Sequence, residues 1–338
     1  MATRAAFTAP PRPQRGFTLI ELMVGLTLGL VVITALLLLF ANASSRGQDL
    51  ARTSIQIENG RYVAEMLRED LRLAGFFGET SVTGATYSQP DPCSTTPTGW
   101  NGTPTSFGLP TPVQGYGPTD VLACLDNRKA GTDAIAIRRV GVTPVDPTTL
   151  AAGNTQHYVQ YSYCVTDVAS PRLVFSTNRA DFTLRNRICN GVNLIRPYVV
   201  RIYYISDCNR CGAGGDTLPT LKRVELVAGQ LTTTALAEGV ETLRLEYGFD
   251  VDADGSPDTY LTRPSATGES ALWKNVVSVK AHFITRSLDK DPGGALVGAQ
   301  QFQLGATEVV SMAADGYARK AYSSAIRLIN PSASREVQ

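Results

Sequence analysis

The sequence predicts an α+β fold in which one long N-terminal helix packs on a mainly antiparallel sheet. Three observations predict it. Residues 22–41 carry no charge, and about twenty such residues can span a bilayer as a helix. Residues 48–74 keep apolar positions at helical spacing, and no proline occurs between Pro13 and Pro90. Beyond residue 120 the chain breaks into short β-rich segments separated by turn residues, with no second helical pattern of similar length.

The apolar stretch opens with Arg15-Gly16-Phe17-Thr18-Leu19-Ile20-Glu21-Leu22. Its single acid, Glu21, is costly in lipid unless it finds a partner. Ahead of the stretch stand Arg4, Arg12 and Arg15 without an acid, whereas after it Arg46 and Arg52 are mixed with Asp49 and Glu58. The positive-inside rule therefore keeps the N-terminus in the cytoplasm and carries the rest across. Asn42-Ala43-Ser44-Ser45 supplies small residues for a signal cleavage site. The residues alone thus leave a cleaved signal and a plain anchor both open.

In the second half of the helix Val63, Leu67, Leu71 and Ala74 share a face, with Tyr62 and Met66 beside them. Glu58, Glu65 and Glu69 each precede an arginine by three residues, namely Arg61, Arg68 and Arg72. Such pairs support a solvated face by a few tenths of a kcal/mol each. Taken from Phe17 to Leu73, the helix is about 85 Å long at 1.5 Å per residue. Gly25, Gly29, Gly47 and Gly60 each weaken it by about 1 kcal/mol relative to alanine, although the first two allow close helix approach in a membrane or fibre.

Residues 78–120 are rich in Pro, Thr, Ser and Gly and read as an irregular connection, with Cys93 and Cys124 placed to tie it. Strand signals follow at 134–140, 157–164, 172–176, 198–206, 220–227, 242–249, 276–287, 307–312 and 321–329. Leu243, Leu245, Tyr247 and Phe249 alternate by two, which suits a sheet with one buried face.

With 31 Lys+Arg against 30 Asp+Glu, the chain lacks the basic excess of a nucleic-acid binder, and no nucleic-acid partner is expected. All six cysteines follow the apolar stretch, and their even number suits disulfides in an oxidising compartment. Local pairing joins Cys93 with Cys124, Cys164 with Cys189, and Cys208 with Cys211. The Cys208-Asn209-Arg210-Cys211 spacing also invites redox or zinc readings. A thioredoxin-like site requires a strand-to-helix context, and zinc usually requires a second such pair. This pair follows a strand and enters Gly212-Ala213-Gly214-Gly215, so a structural disulfide in a turn is preferred.

The sharpest polar constellation is Asp250-Val251-Asp252-Ala253-Asp254-Gly255-Ser256-Pro257-Asp258. Carboxylates on alternate residues before a turn glycine can converge on calcium, with the Ser256 carbonyl as a further ligand. Leu261 stands where an EF-hand loop carries its closing acid, so Asp258 is the remaining substitute. The other reading is an Asx-rich turn between strands. His157 and His282 lie in strand-like stretches, and G-x-S-x-G, H-E-x-x-H and phosphate-loop motifs are missing, so no catalytic residue is assigned and no enzyme is expected.

The stretch from Arg15 to Leu22 resembles the processing site of type IV prepilins and related pseudopilins. The resemblance implies cleavage by a prepilin peptidase between Gly16 and Phe17 and methylation of the new N-terminus. It divides the chain into a leader, 1–16; a membrane or fibre-core helix half, 17–41; an amphipathic half, 42–77; and an extracytoplasmic β-rich domain, 78–338, with its irregular loop at 78–120. Cleavage exposes an amine at Phe17, and the Glu21 carboxylate of a neighbouring chain can neutralise it when helices bundle. Glu58-Asn59-Gly60-Arg61-Tyr62, together with residues 67–76, resembles the PilW family of minor pilins, whose members also tend to carry an acidic loop like that at Asp250. This implies a pilin-like α+β fold and a minor pilin at or near the tip of a type IV pilus, where it primes assembly. Its partners would be other minor pilins, the major pilin, the peptidase, the inner-membrane assembly machinery and a tip adhesin. The alternatives are a J-like pseudopilin of type II secretion and a calcium-dependent adhesive module on an inner-membrane anchor.

Overall fold

A computed structural model describes residues 16, 18–80, 82, 84–103, 106–167, 172–262, 272–290 and 298–336. The chain divides into two compact units, Met1–Thr53 and Ser54–Gln338. The first helix, α1 (Leu19–Leu73), begins in the first and ends in the second.

In the first unit, Leu19–Ala41 forms a candidate membrane span of mean hydropathy 2.7, with every side chain turned outward except the half-buried Gly29. Its hydroxyls are satisfied within the helix: Thr27 Oγ1 donates to the Val24 carbonyl at 3.0 Å and Thr34 Oγ1 to Leu30 at 2.8 Å. That internal satisfaction lets threonine sit in an apolar segment without an orphaned polar group.

In the second unit, α1 buries Val63, Leu67 and Leu71, the face that the helical period predicts. The helix stops where Gly75 adopts φ +71°, the left-handed conformation that ends helices, and the Gly75 N–H donates to the Arg138 carbonyl. The buried face enters the main core, which two sheets share. The first is a seven-stranded sheet with the path Gln230–Glu238, Thr220–Val227, Ile195–Ser206, Ala134–Val140 and Val113–Tyr116. Tyr158–Tyr161 and Leu173–Ser176 extend it from the start of the Ile195 strand. The second is four-stranded, in the order Thr259–Leu261, Val240–Phe249, Val276–Arg286 and Arg319–Arg327. All pairings within these two sheets are antiparallel.

The chain crosses from one sheet to the other at Gly239, with φ +76°. A Cβ there would lie 2.8 Å from the Arg286 carbonyl oxygen, so the crossing requires glycine. Asp133 joins the sheets again: its N–H donates to the Leu243 carbonyl and its carboxylate accepts from the Leu245 N–H, both at 2.9 Å.

The structure differs from the sequence expectation in three places. The connection at 78–120 is not wholly irregular. Thr86–Ser88, Phe107–Pro110 and Asn101–Gly102 form a small sheet with one parallel pairing, over a second core of Phe77, Leu109 and Tyr161. Three further strands were not expected, among them the short edge strand Thr259–Leu261. Gln230–Glu238 is mostly exposed and polar, so its alternation is faint, and Gln300–Leu304 pairs with Glu308–Met312 as a separate hairpin. The last expected strand ends at Arg327, and a short helix, α2 (Ile329–Glu336), follows.

Candidate functional site

At the N-terminal site the leader residues 1–15 and Phe17 lie outside the described residues, while Gly16 is exposed. The first turn of α1 is a reciprocal capping box. The Thr18 N–H and Oγ1 donate to Glu21 Oε2 at 3.0 and 2.9 Å, and the Glu21 N–H donates to Thr18 Oγ1 at 3.3 Å. Thr18 thus caps the helix. Its signal, T-x-x-E at the mouth of an apolar run, is present in the sequence. Glu21 therefore has an intrachain partner at the exposed helix start, and among the described residues its hydrogen bonds fall on Oε2 alone.

The acidic loop leaves the Val240–Phe249 strand. The carboxylates of Asp250, Asp252 and Asp254 place one oxygen each within 4.8 Å of one another. Asp250 is fully buried; Oδ1 accepts from the Ala253 N–H at 2.6 Å, and Oδ2 from the Gly255 N–H at 2.9 Å and Arg335 Nε at 2.6 Å. Burial acts to raise the Asp250 pKa, but Arg335 and the two backbone donors outweigh it and hold the carboxyl below its ordinary range. Asp252 and Asp254 are both exposed and accept from the N–H groups of Asp254 and Ser256 respectively. Gly255 makes the turn at φ +84°. Asp258 is directed elsewhere, its Oδ2 accepting from the Val251 N–H at 2.6 Å. The loop thus gathers three of the expected carboxylates, and α2 supplies Arg335 as a built-in cation for the innermost. Asp250, Asp252 and Asp254 are the residues that could hold a hard cation here.

Three disulfides join Cys93 to Cys124, Cys164 to Cys189, and Cys208 to Cys211. These are the pairs that local spacing suggests. Neither histidine is an unengaged sheet residue. His157 stacks on Phe175 with ring centroids 5.1 Å apart, and burial lowers its pKa. His282 Nδ1 lies 2.7 Å from Ser323 Oγ and its Nε2 3.4 Å from Glu246 Oε2. The other Glu246 oxygen accepts from the Ala306 N–H at 2.8 Å, so this row holds the 300–312 hairpin on the outer face of the second sheet.

Two family models match the chain. The prokaryotic N-terminal methylation motif matches residues 11–37 and so covers Gly16, Thr18 and Glu21. Type IV Pilus-assembly protein W, PilW, matches residues 202–330, which include the Cys208 turn, the acidic loop and the second sheet. No curated protein and no solved structure matches. Both matched families describe pilins or pilus-assembly proteins, and the matches fall on an apolar helix and on the sheet domain that follows it. These two matches support a PilW-like type IV pilin.

Proposed function

We propose that this pilin is a minor subunit cut between Gly16 and Phe17, held first in the inner membrane and then in a type IV pilus, where it primes assembly at or near the tip. Before assembly its N-terminus would face the cytoplasm and its sheet domain the periplasm. The observation that carries the reading is Glu21, a lone carboxylate at the exposed start of an apolar helix, held by Thr18 through Oε2. In a bundle of such helices the amine of a neighbour's Phe17 would neutralise it, so that neither charge is left bare in a low-dielectric core. Other minor pilins and the major pilin are then the direct partners, and the prepilin peptidase and inner-membrane assembly machinery act earlier.

The test separates charge from capping. Glu21→Gln keeps a carbonyl oxygen for Thr18 but loses the charge, whereas Glu21→Ala loses both. Both variants are expected in the membrane fraction and absent from sheared fibres. Normal incorporation of Glu21→Gln would defeat the charge-pairing mechanism.

We also propose calcium as a ligand of the acidic loop, on the convergence of Asp250, Asp252 and Asp254. The Ser256 carbonyl would complete the set, and Asp258 would join only after releasing the Val251 N–H. Calorimetry with calcium on the purified chain is expected to show binding that Asp252→Ala and Asp254→Ala remove. Unchanged affinity in those variants would make the loop a turn only.

A further inference from the structure

The Cys208–Cys211 turn follows the Ile195–Ser206 strand and carries features that a simple staple does not need. Its disulfide joins residues only three apart. A loop so short removes little freedom from the unfolded chain, in contrast to the pairs separated by 31 and 25 residues. The turn also has its own scaffold. The Asp216 carboxylate accepts from the N–H groups of Asn209, Arg210 and Leu218 at 2.7, 2.9 and 3.1 Å, and the Asp216 N–H donates to the Arg210 carbonyl. The bonds from Arg210 and Leu218 hold the Asp216 carboxyl below its ordinary range, so the scaffold is charged at neutral pH. Opening the S–S bond would leave these contacts in place.

The two sulfurs differ in surroundings. Cys208 is 7 % exposed, whereas Cys211 is exposed, unlike the other five cysteines. Lys222, itself buried, places Nζ 3.2 Å from Cys211 Sγ. Burial lowers the pKa of this ammonium, while the charges of Asp216 and Asp126 oppose that effect. An anion at Cys211 would give it a direct counter-charge. The fully buried Ser206 hydroxyl lies 3.7 Å from Cys208 Sγ and 3.6 Å from Cys211 Sγ, in reach of either sulfur as a donor. A cavity of about 750 Å³ adjoins the turn, lined by Tyr204, Asn209, Arg210, Cys211 and Lys222, and leaves room for an incoming side chain.

We propose that Cys208–Cys211 is an exchange-active disulfide that reacts with exposed dithiols of a partner polypeptide. In this arrangement Cys211 forms the mixed disulfide, Cys208 is the resolving sulfur and Lys222 stabilises the Cys211 thiolate. A partner thiolate attacks Cys211 Sγ; the Cys208–Cys211 bond breaks, and its electron pair leaves on Cys208 Sγ, which takes a proton from water. The partner's second thiolate then attacks its own sulfur in the mixed disulfide. That bond breaks, and its electron pair leaves on Cys211 Sγ beside Lys222. The partner dithiol has lost two electrons and become a disulfide, while Cys208 and Cys211 have gained them as a thiol and a thiolate. The reverse sequence reduces a partner disulfide. A thiolate beside a cation is the species poised for such exchange.

The oxidised full-length chain in detergent, placed in a glutathione buffer and trapped with an alkylating agent at intervals, tests this by peptide mapping. Cys208 and Cys211 are expected to open about tenfold or more faster than the other two pairs, and Cys208→Ser is expected to accumulate glutathione on Cys211. In that variant the pH midpoint for Cys211 alkylation should rise by about one unit when Lys222→Met is added, and return with Lys222→Arg. Equal opening rates for all three disulfides would overturn the proposal, as would a midpoint that Lys222→Met leaves in place. The rate comparison uses the unaltered chain and stands even if Cys208→Ser folds poorly.

Discussion

Asp70 on α1 accepts from Arg201 Nη1 through both carboxylate oxygens, at 2.7 and 2.9 Å, and so ties the helix to the Ile195–Ser206 strand. The Tyr203 hydroxyl donates to the same carboxylate, and Arg139 Nη2 lies 3.6 Å away. Asp70 is 5 % exposed, so removing it strands two guanidinium groups against the core. Breaking a buried pair costs about 3–5 kcal/mol, and the lower end applies because Arg201 keeps Glu225. Asp70→Ala should therefore lose about 3 kcal/mol in urea unfolding, while Glu65→Ala, which breaks the exposed pair with Arg68, should lose less than about 0.5. Comparable losses would mean that the helix docks by apolar burial alone.

Gly60 reverses an expectation drawn from helix propensity. In an exposed helix Gly→Ala would gain about 1 kcal/mol. Here a Cβ would fall 2.2 Å from Cζ of Tyr322, whose ring stacks 5.2 Å from that of Phe283 and whose hydroxyl donates to the Gln56 carbonyl. Overpacking costs about 1–3 kcal/mol, so Gly60→Ala should lower the unfolding midpoint. Adding Tyr322→Leu should recover part of the loss, and stabilisation by Gly60→Ala alone would contradict this packing.

Acid sensitivity should trace in part to Asp315. Arg319 donates to it from Nη1 at 2.8 Å and from Nη2 at 2.6 Å; burial opposes, and the Asp315 pKa is held at about 2, against an ordinary 3.8. A folded pKa below the unfolded one means that the contribution is complete above the ordinary value and disappears as pH falls through about 2. The unfolding midpoint should thus decline as pH is taken from about 4 to about 2. Asp315→Asn should make that decline shallower, and an unchanged slope would assign the acid loss to other carboxylates. The side chain is a third exposed, so solvent screening keeps the effect modest.

Much of this arrangement is legible from local pattern. The helix and its buried face follow from the spacing of Val63, Leu67 and Leu71, and the second sheet follows from alternation such as Leu243-x-Leu245-x-Tyr247. What escapes a reading of the sequence is order imposed from a distance. Residues 78–120 look irregular because their partner is Arg138, fully buried on another strand, which donates to the Pro90 carbonyl at 2.6 Å and to Gln114 Oε1 at 2.9 Å. The Asp250 loop reads as an unpartnered acidic cluster because its counter-charge, Arg335, lies 85 residues onward on a helix of 8 residues. Lys222 gives no sign in the sequence that it will meet Cys211, since that meeting depends on the pairing of the Ile195–Ser206 and Thr220–Val227 strands, which sets Lys222 opposite Tyr204. Thr18 is the opposite case: its capping pattern is local, but the cost of an acid in lipid draws attention to Glu21 alone.

The N-terminus of the mature protein tests the pilin mechanism most directly. The chain would be purified from membranes with and without an active prepilin peptidase, and its first residue identified by sequencing and mass. A chain beginning at methylated Phe17 only when the peptidase is active is the expected result. An intact Met1 in both preparations, or a cut near Ser45, would contradict the charge pairing between Phe17 and Glu21 and the fibre role built on it.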